Sequence, residues 1–207
     1  GHVDAQFELG WFYNRKSRKT GDPQHATTSA KWYTKAAEQG HTSSQFLLGL
    51  LYTEEEKTEL DDLIRPGGKG VNENNKTAFK WFKLSAEGGE VLAQYHLARM
   101  YAEGLGVLEN DRKSFELYTA ITRMDIYGNG KASAASALGT MYANGEGVLK
   151  DLVRAYMWFS IGDYIAYKGQ GVDAEDKENI TQKMTTDQIV KAQDMSSRCL
   201  ESNYTDC

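Results

Sequence analysis

Apolar residues recur at helical spacing in a phrase that the chain repeats. "GHVDAQFELGWFY", "GHTSSQFLLGLLY", "GEVLAQYHLARMY" and "GKASAASALGTMY" open at Gly1, Gly40, Gly89 and Gly130. Nine residues further on stand Gly10, Gly49, Ala98 and Gly139, each preceded by Leu9, Leu48, Leu97 or Leu138. Three beyond come Tyr13, Tyr52, Tyr101 and Tyr142, and five before are Ala5, Ser44, Ala93 and Ala134. At 3.6 residues per turn the first small residue, the leucine and the tyrosine share one face, which predicts a helix, here helix A. A second apolar segment follows each copy. Trp32, Trp81, Leu117 and Trp158 align there, each followed by an aromatic (Tyr33, Phe82, Tyr118, Phe159) and preceded three residues earlier by a small residue (Ser29, Ala78, Ser114, Ala155). This is helix B.

Between the two lies a Gly-x-Gly-Val turn in three copies, Gly68–Val71, Gly104–Val107 and Gly145–Val148. Four residues after its second glycine stand Asn74, Asn110 and Asp151, which the spacing makes N-caps of helix B. The glycines are expected to supply the positive φ that ends helix A. Small residues at fixed positions let two helices approach closely, while Leu, Tyr and Trp fill the space around the contact. Each large side chain buried there contributes roughly 1.5–3 kcal/mol. One pair cannot hide its own apolar face, so a stacked array is predicted.

The combination Ala-x-x-x-Leu-Gly-x-x-Tyr, Gly-x-Gly-Val, then Ala-x-x-Trp-Phe with a closing glycine resembles the Sel-one-like repeat family, relatives of the tetratricopeptide repeats. The resemblance covers residues 1–170 and implies an all-α fold, a right-handed α/α superhelical solenoid of four repeats at 1–39, 40–88, 89–129 and 130–170. The first unit departs from the pattern, with "NRKSRKTGDPQHAT" in place of the glycine turn, and the third has Leu117 where Trp is expected. Because Gly1 is a repeat-boundary glycine, the chain reads as a fragment with at least one unit upstream, or Gly1 and His2 as an expression scar. The insertion "TEEEKTELDDLIRPG" reads as a solvated excursion or an extended helix A; it lacks the Asp-x-Asp-x-Asp-Gly loop that wraps Ca²⁺.

From residue 171 the repeat pattern stops. "DAEDKENITQKM" and "TTDQIVKAQDMSSRCLESNY" read as two further helices, the second with Thr185 and Gln188 in capping-box spacing. Residues 171–207 resemble the C-terminal cap that closes arrays of this family. Cys199 and Cys207 are the two cysteines. They form either a disulfide that pins the tail and implies an oxidising compartment, or two unrelated thiols of a cytoplasmic protein.

Composition narrows the function. A net charge of −5 argues against a phosphate-tracking basic face, so no nucleic-acid partner is expected. No apolar run approaches the roughly 20 residues of a membrane span, so membrane association is expected only through a partner or missing segments. His2, His25, His41 and His96 match no metal-ligand spacing, with His2 and His41 at one structural repeat position. No Gly-x-Ser-x-Gly, Ser-x-x-Lys or Walker pattern occurs. Neither an enzyme nor a cofactor is therefore expected. The sequons at Asn75, Asn179 and Asn203 exceed chance only slightly.

If Ala5, Leu9 and Tyr13 face the core, the opposite side of helix A is centred on Trp11 with Phe7 beside it; Phe46 and Leu50, then Tyr95 and Arg99, hold the equivalent positions. These six are the candidate partner-binding residues, unless neighbouring units cover them. The resemblance implies adaptor roles in assembling complexes, often after export in bacteria. The expected function is a scaffold that grips a protein or peptide on the concave helix A face, in the periplasm or secreted, with a cytoplasmic location as the alternative. A carbohydrate or cell-wall binding module is the alternative function, since an aromatic groove suits sugars too. A hydrolase, an activity attributed to some relatives, lacks a nucleophile or metal set here.

Overall fold

A computed structural model of the chain describes residues 2–53, 74–124, 129–166, 174–205 and 207. Gly1, the insertion after Tyr52 and the Gly68–Val71 turn lie outside the described residues. Among those described there are ten helices and no strand: α1 (Val3–Thr20), α2 (Pro23–Ala37), α3 (Thr42–Tyr52), α4 (Asn75–Glu87), α5 (Val91–Glu103), α6 (Asp111–Arg123), α7 (Asn129–Asn144), α8 (Leu152–Ile165), α9 (Ala174–Thr181) and α10 (Thr186–Glu201). The odd-numbered α1 to α7 are the A helices; the even-numbered α2 to α8 are the B helices.

Local chemistry sets these boundaries. Asn74, Asn110 and Asp151 accept hydrogen bonds from the backbone N–H of Thr77, Lys113 and Val153, so all three expected N-caps satisfy otherwise orphaned donors. Asp22, absent from that list, caps α2 through Gln24 N–H with Pro23 at the first helical position. Gly104 at φ 66° and Gly145 at φ 84° end α5 and α7 in the left-handed region. The second glycine of each turn does something more. A Cβ on Gly106 would collide with the Asn75 carbonyl at the start of α4, and one on Gly147 would lie 2.6 Å from the Asp111 carbonyl at the start of α6. Each turn therefore seats on the N-terminus of the previous helix B, and both glycines are φ-positive as well.

The chain divides into two compact units, Gly1–Glu109 and Asn110–Cys207. In the first, α1 packs on α2, α2 on α3, α3 on α4 and α4 on α5, each helix against its successor. The repeat's small position makes room for a ring. A Cβ on Gly10 would lie 2.6 Å from the Tyr33 ring, and one on Gly49 would run into the Phe82 ring. Ser29 Oγ adds a buried hydrogen bond to the Gly10 carbonyl at 2.8 Å, and Ser85 Oγ one to the Thr42 carbonyl at 2.9 Å. Around these contacts Leu48, Leu50, Leu51, Trp81, Phe82 and Met100 close a single apolar core.

The second unit repeats the device: Phe159 of α8 lies on Gly139 of α7, where a Cβ would stand 2.6 Å from the ring. On the far side α9 and α10 pack against α8, placing Ile180 and Ala192 among Ala155, Tyr156 and Phe159. The capping box read from the sequence is present, with Gln188 N–H on Thr185 Oγ1 and Thr185 N–H on Gln188 Oε1. Cys199 and Cys207 form a disulfide with Cα atoms 4.9 Å apart. The enclosed tail turns through Asn203 and Tyr204, both at positive φ. Tyr204 is thereby set over the Lys131 ammonium, 3.4 Å from the ring centroid, while Lys131 donates to the Met124 carbonyl.

Candidate functional site

Helix A has more than one buried side, and this redistributes the six residues expected to face a partner. In α3 every residue from Ser44 to Leu51 is buried, because α2, α4 and α5 all pack against it. Phe46 and Leu50 are only 6% and 1% exposed and belong to the core of the first unit, so neither is available to a partner in this structure. Phe7 is half-buried at the edge of that core, its ring 4.6 Å from His41 and 6.0 Å from Tyr33. Trp11 is half-buried one turn further along α1.

Tyr95 and Arg99 occupy the same repeat positions on α5, and both are half-buried. The Tyr95 ring meets His96 edge-on at 5.8 Å, and Arg99 Nε lies 3.1 Å from Glu103 Oε1. Of the six, Phe7, Trp11, Tyr95 and Arg99 thus keep solvent-facing surface: aromatic bodies with one cation, set on helices whose other sides are fixed by packing. The orientation of α1 also differs from expectation. Gly10, Asn14 and Ser17 are buried, whereas Ala5 and Leu9 are exposed. The small residue itself marks the inward direction, since it is where the helix B ring lands.

Two of the histidines hold structural positions. His41 caps α3, its Nδ1 accepting from Ser44 N–H at 3.2 Å, and His96 stacks on Phe82 with rings 4.8 Å apart. Burial pushes the Tyr33 phenol well above its ordinary value, and the neighbouring polar side chains of Asn14 and Ser29 only partly oppose it. Burial likewise raises Tyr142, with Arg154 pulling it down. Both sit in core contacts, which suits packing and supplies no group poised for proton transfer near neutral pH. Among the described residues, no group of three His, Cys, Asp or Glu side chains is arranged to hold a metal ion. Among the described residues no helix is long and apolar enough to cross a membrane.

Leu108 and Leu149 stand outside the six residues that the sequence pattern singles out. They follow the valine of two Gly-x-Gly-Val turns and are 89% and 88% exposed. Their identical repeat position was the signal that could have found them.

Comparison with known proteins accords with this geometry. A model of the Sel1 repeat matches residues 3–41, 67–90, 91–123 and 132–162. The fold is similar to that of a protective antigen present in uropathogenic Escherichia coli strains, at TM-score 0.58 and 21% identity over 99% of this chain and 47% of that one. It is also similar to a Sel1 repeat protein from Oxalobacter formigenes, at TM-score 0.60 and 24% identity over 98% of this chain and 66% of that one. This chain therefore spans about half and just under two thirds of those two. No curated protein matches it.

Proposed function

We propose, given that this chain belongs to the Sel1 repeat family, that it is a scaffold that grips a protein or peptide partner along its A helices and performs no chemistry of its own. Proteins of this family typically act as protein–protein interaction scaffolds and are generally not catalysts. The observation that carries the finer reading is the pairing of half-buried aromatics with a cation at matched repeat positions: Phe7 and Trp11 on α1, Tyr95 and Arg99 on α5. Tyr, Trp and Arg are the residues that dominate binding energy when a partner finishes their desolvation. Their backbones are held by core packing, so little conformational entropy is lost on binding. Phe46 and Leu50 contribute beneath this surface by holding α3 in place.

The disulfide supports a periplasmic or secreted location, where thiols oxidise and the pair persists. The same aromatics would also suit stacking on sugars, so the discriminating experiment presents the chain in parallel to a glycan array and to a peptide and protein library. Saturable binding to polypeptide ligands, weakened by Arg99→Ala, is expected. Binding to glycans alone would replace the scaffold reading with a carbohydrate module.

A further inference from the structure

In the second unit α7 and α9 both pack on α8, and a cavity of about 200 Å³ opens among the three helices. Its floor is apolar: Phe159 and Ile180 are buried, with Ala143 and Leu152 half-buried beside them. Thr140 stands on the rim, at the repeat position that Trp11 and Arg99 hold in α1 and α5. Pockets for drug-sized ligands occupy roughly 300–1,000 Å³, so a space this small takes a single side chain and its flanking backbone.

The charges around that floor select the neighbour of such a side chain. Lys150 and Lys183 both line the cavity, both are exposed, and neither ammonium is paired with any described residue. One carboxylate, Asp176, opposes them; it lies in the first turn of α9, where the positive end of the helix dipole already stabilises it. The lining is therefore net positive, in a chain whose net charge is −5. Asn179 adds a carboxamide with no hydrogen bond among the described residues, a donor and an acceptor for a peptide group. All these groups are side chains, whereas a terminal carboxylate is captured in backbone nests. We propose that this cavity binds a polypeptide segment in which an apolar residue adjoins Asp or Glu. The apolar side chain enters over Phe159 and Ile180, and the carboxylate reaches Lys150 and Lys183. This inference rests on the polypeptide-binding reading above and adds a second site with a preference of its own.

Methyl NMR of the 207-residue protein tests it, with end-blocked octapeptides that carry Leu-Glu between Gly-Ser spacers. The Ile180 and Leu152 methyl signals should shift saturably, with a Kd of about 1 mM or tighter at low salt. Leu-Gln or Ser-Glu in place of Leu-Glu should weaken binding at least about fivefold. Lys150→Glu with Lys183→Glu, at two exposed positions, should leave circular dichroism unchanged and invert the preference, so that a Leu-Lys peptide binds more tightly than Leu-Glu. Arg99→Ala, in the first unit, should change none of this. No saturable shift at about 10 mM peptide, equal binding of Leu-Gln, or an unaltered preference in the double lysine variant would each overturn the proposal. Tighter binding of a peptide that ends in Leu with a free carboxylate would give the cavity to a chain terminus and overturn it too. Peptide binding that leaves Ile180 unmoved but is lost in Arg99→Ala would overturn this site while keeping the scaffold reading.

Discussion

Phe159 and Tyr33 fix what the repeat's small position can be. Because a Cβ on Gly139 would stand 2.6 Å from the Phe159 ring, Gly139→Ala must push the ring or separate α7 from α8. A loss of about 1–3 kcal/mol is expected, seen as a lower urea midpoint at unchanged m-value. Tyr33 carries a pH signature. Its folded pKa is raised, so the native state favours the neutral phenol. That contribution is complete below the ordinary value of about 10 and is lost as pH rises above it toward the folded value. Melting temperature should fall from about pH 9.5 to 11, and Tyr33→Phe should fall less over the same interval; identical losses would contradict the assignment. At this scale the sequence identified the small residues and their aromatic partners but not the inward direction. The repeat aligns Gly10 and Tyr33 with their counterparts, yet only the packing reveals that the ring lies on the glycine, which leaves Ala5 and Leu9 outward in α1.

Helix ends were the most legible elements, because capping is decided within four residues of chain. Asn110 accepts from Lys113 N–H at 3.0 Å, as its position after the glycine turn predicts. Asn110→Ala should cost about 1 kcal/mol, measured by denaturant unfolding, with Asn110→Asp nearly neutral. The faces of helix A were less legible. A periodicity argument assumes one core side, which fits α1 but fails for α3, where several neighbouring helices bury Phe46 and Leu50 along with the rest of the helix. The α3 segment "TSSQFLLGLLY" carried the warning, since it holds no charged residue at all, as befits a helix buried all round. The role of Gly106 and Gly147 was also only half visible. Positive φ was foreseeable from the turn; seating on the preceding helix B was not, because it depends on Asn75 and Asp111, a full repeat upstream of each turn.

At the level of the molecule, the tail is tied down by the disulfide that encloses Tyr204 and holds it over Lys131. Closing so short a loop is worth roughly 2–3 kcal/mol in the chain-entropy account. Reduction with a dithiol, or Cys207→Ser, should therefore lower the melting temperature measurably, and the two treatments together should do no more than either alone. The repeat architecture was legible because the same solution is written four times. The partner was not, because binding uses surface left over after packing, and the periodic signal reports packing. Trp11 and Leu50 share a repeat position, yet one is half-exposed and the other enclosed.

The claim that matters most is that a polypeptide docks on the exposed part of helix A, and site-specific photo-crosslinking tests it most directly. With a benzophenone side chain placed at position 11, then separately at position 95, in the intact chain, both positions should capture the same discrete polypeptide from the native compartment. The purified partner should then bind Trp11→Ala at least about tenfold more weakly, at unchanged melting temperature. Absence of capture from both positions, or full affinity in Trp11→Ala, would contradict the account.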